Sequence, residues 1–189
     1  MNVPSPLTLP QRVKLRADDF WLLARSGAFD GYAKSELIEG EIWVMSAIHS
    51  WHAKTVSRLN VALHAALLAA GSNLEIFVPV SILLSEDSVP EPDLAVAEDH
   101  DDGPLPLAKV KLAVEVSDTT LEIDLGRKAL LYARHGVPEY WVIGREGACL
   151  YRHHGPEAEG YENRDEFGLG ERVEAATIAG LVVETAALV

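Results

Sequence analysis

The sequence predicts an α/β domain: a mixed sheet flanked by helices. Three observations carry this. Apolar residues recur at helical spacing from His49 to Ala70. Short apolar runs of strand length follow at 74–84, 93–97 and 111–117, the first of them rich in β-branched residues. A second helical segment then separates the last of these from another apolar run at 139–143. From His49 onward the predicted order is helix, strand, strand, strand, helix, strand.

Each element has a local reason. Residues 1–16 contain Pro4, Pro6 and Pro10 and predict an irregular arm, leaving 17–189 as a single domain. Asp18 and Asp19 precede Phe20, Trp21, Leu22 and Leu23, which predicts a short helix ending near Gly27. Apolar residues on both sides of Gly40 predict a hairpin over 36–45. In the first long helix His52, Val56, Leu59, Leu63, Ala66 and Ala70 form one stripe, and Gly71 is its stop. Leu74 to Leu84 reads as one long strand, and Pro90 and Pro92 frame a break before the strand that Asp93 opens. Asp99 to Pro106 is an acidic loop. Thr119 and Glu122 have capping-box spacing at the start of the second helix, which Gly136 and Pro138 close. Glu139–Ile143 and Cys149–His153 read as two strands around a Gly-containing turn. The tail from Glu171 is mixed, with room for one strand and a short terminal helix.

Composition narrows the function classes. Cys149 is the only cysteine, so an intramolecular disulfide and a cysteine-based zinc cluster are both excluded. No apolar run precedes the basic residues of the N-terminus, and no apolar stretch is long enough to span a bilayer. The expectation is a cytoplasmic protein with no membrane partner. The formal net charge of -13 opposes broad affinity for nucleic acid, because phosphate binding draws on basic surface. There is neither a Gly-rich phosphate loop nor a Ser-centred nucleophile elbow.

The chemistry is signalled by residues that break the local pattern. Glu115 lies within the apolar strand Leu112–Val116, where alternation sets it on one face with Ala113 and Ser117. A carboxylate inside a strand is costly unless it is paired or binds a cation. Asp93 opens a second apolar strand after Pro92. Were the two strands neighbours, both carboxylates would point to one spot, and converging oxygen donors suit Mg²⁺ or Mn²⁺. Asp124, Lys128 and Tyr132 share a helical stripe bordered by leucines, so the Lys128 amine is within reach of those acids. A cation beside a metal-bound phosphate would orient the attacking water or offset developing charge. Each residue also has a plainer reading: a strand-start aspartate, an edge carboxylate paired with Lys109 or Lys111, and a snorkelling lysine. His52 offers a metal or general-base role, or simple packing at a helix end.

Pro92-Asp93 followed by Glu115 in a short apolar strand resembles the PD-(D/E)XK nuclease superfamily. That pattern has a lysine two residues beyond the acid; here Ser117 stands there, and Lys128 looks like a lysine moved to the following helix. A longer ordered set resembles the Uma family of restriction-endonuclease-like bacterial proteins. It comprises Glu36 to Glu41, Met45-Ser46, His52, Pro92-Asp93, Val114 to Ser117, Asp124 with Lys128 and Tyr132, and Gly136 to Trp141. The resemblance covers roughly residues 18 to 155. It implies a restriction-endonuclease-like core and metal ligation by Asp93 and Glu115, with Glu36 as an outlying acid and Lys128 as the amine.

The expected function is therefore Mg²⁺- or Mn²⁺-dependent hydrolysis of phosphodiester bonds in nucleic acid, chiefly DNA, by Asp93, Glu115 and Lys128, with Glu36 and His52 as further site residues. Nucleases of this kind often act as homodimers. Two alternatives stand beside it: a non-catalytic dimerising or binding module with a vestigial site, favoured by the charge and by Ser117, and a metal phosphodiesterase acting on a small nucleotide.

Overall fold

The structure, a computed structural model, describes residues 12–45 and 49–188. Most of the arm expected over 1–16, and Ser46 of the Met45-Ser46 pair, lie outside the described residues. Residues 12–16 run along the first hairpin, where the Leu15 N–H donates to the Gly40 carbonyl at 3.0 Å.

Helix α1 (Ala17–Arg25) is followed by β1 (Lys34–Ile38) and β2 (Glu41–Met45), an antiparallel hairpin. Its two turn residues, Glu39 and Gly40, both have positive φ, 50° and 78°. That turn matches the twist of the flanking strands and favours glycine. A Cβ at Gly40 would also lie 2.8 Å from the Cβ of Lys14. Helix α2 (Ser50–Ala70) ends on Gly71 in the left-handed conformation. Its buried face holds Thr55, Leu59, Leu63, Ala66 and Leu67. Complete burial of Leu59 and Leu63 contributes about 2 kcal/mol each.

The strand expected over 74–84 is two strands, β3 (Glu75–Phe77) and β4 (Ile82–Leu83). Pro79 stands between them and has no N–H for a ladder. Then come β5 (Leu94–Ala97), β6 (Leu105–Pro106), β7 (Val110–Ser117), and helix α3 over residues 121–134. The helix starts one residue later than the capping-box spacing predicts. Thr120 is its N-cap, and the Thr120 hydroxyl donates to the Asp124 carboxylate instead of capping the backbone. Inside α3 the segment Asp124–Lys128 is π-helical, with Gly126 at its centre. The remaining strands are β8 (Glu139–Gly144), β9 (Cys149–Glu157), β10 (Gly160–Gly168), β11 (Arg172–Glu174) and β12 (Val182–Glu184). A 3₁₀ turn, Thr185–Leu188, closes the described chain, so the tail carries two strands where one was expected.

Six strands form the main sheet in the order β10-β9-β8-β7-β5-β3. β7 and β8 are parallel and the other pairs antiparallel, so the sheet is mixed as predicted. Alternation along β7 divides the core in two. Leu112, Val114 and Val116 pack with α2 and the β11–β12 ribbon; Ala113 packs with α3 and the first hairpin. β7 is interior to the sheet, so Glu115 is not an edge residue. Lys111 pairs instead with Glu98 (2.7 Å), and Lys109 donates to the Asp99 carbonyl. None of the described helices is long and apolar enough to cross a membrane.

Glu139 does more than begin a strand. It is fully buried and accepts hydrogen bonds from Trp141 Nε1 (2.7 Å), the Ala176 N–H (3.0 Å), the Thr177 N–H (2.8 Å) and the Thr177 hydroxyl (2.8 Å). It thereby docks the tail onto the sheet. Glu139→Ala is expected to destabilise the protein by about 3 kcal/mol, because buried donors lose a charged acceptor. Urea unfolding measures this; a loss below about 1 kcal/mol would show that water replaces the carboxylate freely.

His153, on β9, packs against both Tyr140 and Tyr161, with ring centroids 5.7 and 5.8 Å away. Burial, reinforced by Arg164, holds its pKa down to about 4 from an ordinary 6.5. The folded state keeps the ring neutral where the unfolded chain protonates it. This contribution is therefore intact above about pH 6.5 and lost as pH falls towards 4. With solvent screening allowed for, the loss is about 1–3 kcal/mol. His153→Phe is expected to flatten the melting-temperature profile between those pH values, and an unchanged slope would refute the assignment.

Candidate functional site

The carboxyl end of β7, the start of β5, the hairpin strand β1, the first turn of α2 and the π-helical turn of α3 meet around one cavity of about 350 Å³. Its walls include Glu36, His52, Asp93, Glu115 and Lys128, so the structure brings together all five residues singled out from the sequence. It adds Lys34, which that reading missed. Lys34 and Glu36 are two apart on β1, and strand alternation sets them on the same side.

Asp93 and Glu115 come together through pairing. Leu94 of β5 is in register with Val114 of β7, which sets the preceding aspartate level with the following glutamate. One oxygen of each carboxylate is fixed. Asp93 Oδ2 accepts the Val116 N–H at 2.8 Å and lies 3.0 Å from His52 Nε2. Glu115 Oε1 accepts from Lys128 Nζ at 2.8 Å and from the Tyr132 hydroxyl at 3.4 Å. The other oxygens, Asp93 Oδ1 and Glu115 Oε2, face Lys34 Nζ at 3.7 and 3.6 Å. Glu36 is held by the Glu91 N–H (2.7 Å) and by Lys128 (3.0 Å). Lys128 thus bridges Glu36 and Glu115. Asp124 and Lys128 bracket the π-helical turn and are both buried, a placement typical of π-bulges at functional sites.

The charges follow from these neighbours. Burial drives the Glu115 pKa up, to about 8, against the pull of Lys128 and Lys34. Burial also raises Asp93, but the His52 hydrogen bond and Lys34 outweigh it and hold the carboxyl below its ordinary value. His52 is raised by its bond to Asp93. For Lys128, burial opposes the charge, yet Glu115, Glu36 and Asp124 leave its pKa above the usual lysine value. Lys34 follows the same logic, with Glu115 the largest opposing influence.

At the rim, Asp118 pairs with Arg145 (2.8 Å) and His49 (3.0 Å), while Trp43, Met45 and Ile123 contribute apolar wall. Among the described residues, no group of three or more His, Cys, Asp or Glu is arranged to hold a metal ion unaided. Two carboxylate oxygens, Asp93 Oδ1 and Glu115 Oε2, flank the Lys34 amine.

This constellation can be set beside known proteins. A family model described as "Uma2: Putative restriction endonuclease" matches residues 22–186. The chain belongs to the Uma2 family. A solved structure from Anabaena variabilis ATCC 29413, described as "a putative nuclease belonging to DUF820", superposes on this Uma2 chain with a TM-score of 0.65. The two are 16% identical, and the match covers 82% of this chain and 88% of the other. At that identity the likeness shows the fold, which is restriction-endonuclease-like, as the resemblance implied. No curated protein matches.

Proposed function

We propose that this Uma2 chain is a divalent-cation-dependent phosphodiesterase acting on nucleic acid, with Asp93 and Glu115 as the ligands of Mg²⁺ or Mn²⁺. One observation carries the reading. Each of these carboxylates has one oxygen locked by the protein and the other within 3.7 Å of the same buried ammonium, Lys34. Two carboxylate oxygens stabilise a cation between them, and Lys34, the charge now beside them, competes with it for those oxygens. Mg²⁺ commonly takes one or two carboxylates and completes its shell with waters and phosphate oxygens, so the donor set fits.

Bound there, the ion would lower the pKa of a water and draw charge from a scissile phosphate. The chain's own residues prepare the site. Val116 N–H and His52 set the rotation of Asp93, so its second oxygen stays aimed inward. Lys128 holds Glu115 and Glu36 together and adds positive charge close to where negative charge develops. Glu36, with both oxygens within 3.0 Å of Lys128 Nζ, fixes that amine rather than reaching for a ligand.

A second reading, hydrolysis of a small nucleotide phosphodiester, is favoured by the cavity of about 350 Å³ and the net charge of -13. Incubating the protein with plasmid DNA, a single-stranded oligonucleotide and a cyclic dinucleotide, with Mn²⁺ or with EDTA, tests both. The first reading expects cleavage of DNA that EDTA abolishes. Cleavage of the cyclic dinucleotide alone selects the second, and cleavage of none rejects the proposal.

A further inference from the structure

The two buried lysines of the site differ in how their donors are used. Lys128 Nζ has acceptors at 2.8 and 3.0 Å, within the ordinary range for a charged hydrogen bond. Lys34 Nζ has three carboxylates around it, Glu115 at 3.6 Å, Asp93 at 3.7 Å and Glu36 at 3.9 Å. All three are longer than a hydrogen bond. Lys34 is 8% exposed, and among the described residues its amine has no hydrogen-bond partner. A buried ammonium normally spends its donors, because leaving them unmade costs free energy. Here a cavity-lining lysine has its charge balanced by three carboxylates at ion-pair distance, while its three N–H donors make no hydrogen bond among the described residues.

The neighbours of Lys34 say what would receive them. Asp93 Oδ1 and Glu115 Oε2 lie within 3.7 Å of the same amine, so a bare anion approaching it would be repelled by two carboxylates. With a divalent cation held by those oxygens the balance reverses, and an anionic oxygen is attracted from both sides. A phosphate brings several acceptor oxygens, which match the three rotatable donors of a lysine.

We infer that Lys34, rather than Lys128, is the ammonium that contacts the substrate phosphate, and that Lys128 is a positioning residue for Glu36 and Glu115. This rests on the phosphodiesterase reading above and assigns the roles within it. Lys34 is the catalytic cation; it touches the phosphate from the hairpin side, opposite the helix that carries Lys128. Phosphate contact then depends on the cation, because the same two carboxylates face both.

Two measurements on the full chain separate the roles. Calorimetry reads Mn²⁺ binding in the absence of substrate. Fluorescence anisotropy with Mn²⁺ present reads binding of a 5′-fluorescein phosphorothioate decathymidylate, which keeps the phosphate charge and resists cleavage. Lys34→Met is expected to bind Mn²⁺ as tightly as wild type or more tightly, since a competing charge is gone, and to lose about tenfold or more in oligonucleotide affinity. Lys128→Met is expected to weaken Mn²⁺ binding by about tenfold, the loss typical when the support of a metal ligand is removed. Should Lys34→Met fold poorly, Lys34→Gln keeps the length and polarity without the charge. The assignment is overturned if either neutral Lys34 variant binds the oligonucleotide like wild type, or weakens Mn²⁺ binding as much as Lys128→Met does. A wild type that binds neither Mn²⁺ nor the oligonucleotide overturns the parent reading and this one together. A wild type that cleaves DNA with Lys34→Met unimpaired overturns this one alone.

Discussion

On the proposed phosphodiesterase reading, Asp93→Asn is expected to lower kcat/KM for DNA cleavage by at least about 10³-fold, equivalent to about 4 kcal/mol of transition-state stabilisation, while the protein stays folded. The separation of the two effects follows from the geometry. The aspartate oxygen that serves the fold is Oδ2, which accepts the Val116 N–H at 2.8 Å and faces His52 at 3.0 Å. An asparagine can turn its amide oxygen to the same two partners and keep most of that bonding, at a cost of about 1 kcal/mol. Its amide nitrogen then occupies the place of Oδ1. The inward-facing group changes from an anionic acceptor to a donor, which cannot ligate a cation and repels one. Calorimetry with Mn²⁺ and a nicking assay measure the two consequences, and a melting curve checks the fold. Cleavage near the wild-type rate in a folded Asp93→Asn protein would remove Asp93 from the chemistry.

Lys128→Met carries the second large effect, in stability as well as activity. Lys128 lies between two carboxylates that are almost fully buried, Glu36 at 5% and Glu115 at 3% exposure. Removing the bridge leaves both acids facing one another without their shared cation. Breaking a buried pair in this way typically costs about 3–5 kcal/mol, because desolvated charge remains uncompensated. The loss is relieved in part if Glu115 takes up a proton, towards which burial already pushes it. Lys128→Met is therefore expected to melt well below wild type. The double variant Lys128→Met/Glu115→Gln should recover part of that loss, since it deletes the charge left stranded. A single variant as stable as wild type would mean that Lys34 neutralises both acids unaided.

Much of this site was legible in the order of residues. The stripe of α2 with Gly71 behind it, the carboxylate set inside β7 and the aspartate opening β5 are local patterns, and local rules read them correctly. Glu115 stood out because burial of a strand carboxylate demands a partner. Other elements left weaker traces. β10, Gly160–Gly168, is mostly polar along its middle, with little apolar alternation to mark it as a strand; it exists because β9 offers an edge and Tyr161 reaches across to the Val137 carbonyl. Glu139 looked like a strand start, since its hydrogen-bond donors come from Trp141 and from a tail some 37 residues away. Lys34 went unread for the same reason, although its i, i+2 spacing from Glu36 was a usable signal.

The amino-acid sequence by itself determined the period of α2, β5 and β7, the glycine and proline stops around them, and which polar groups would be expensive to bury. Those are properties of neighbours within a turn or two of backbone, and short-range sterics and hydrophobic patterning decide them. Only the tertiary structure decided which partners those expensive groups would find: Lys34 and Glu36 from a hairpin, His52 from the start of α2, Lys128 from a π-helical turn. A buried charge is stabilised by whatever lies within a few ångströms in space, and distance along the chain does not set that neighbourhood.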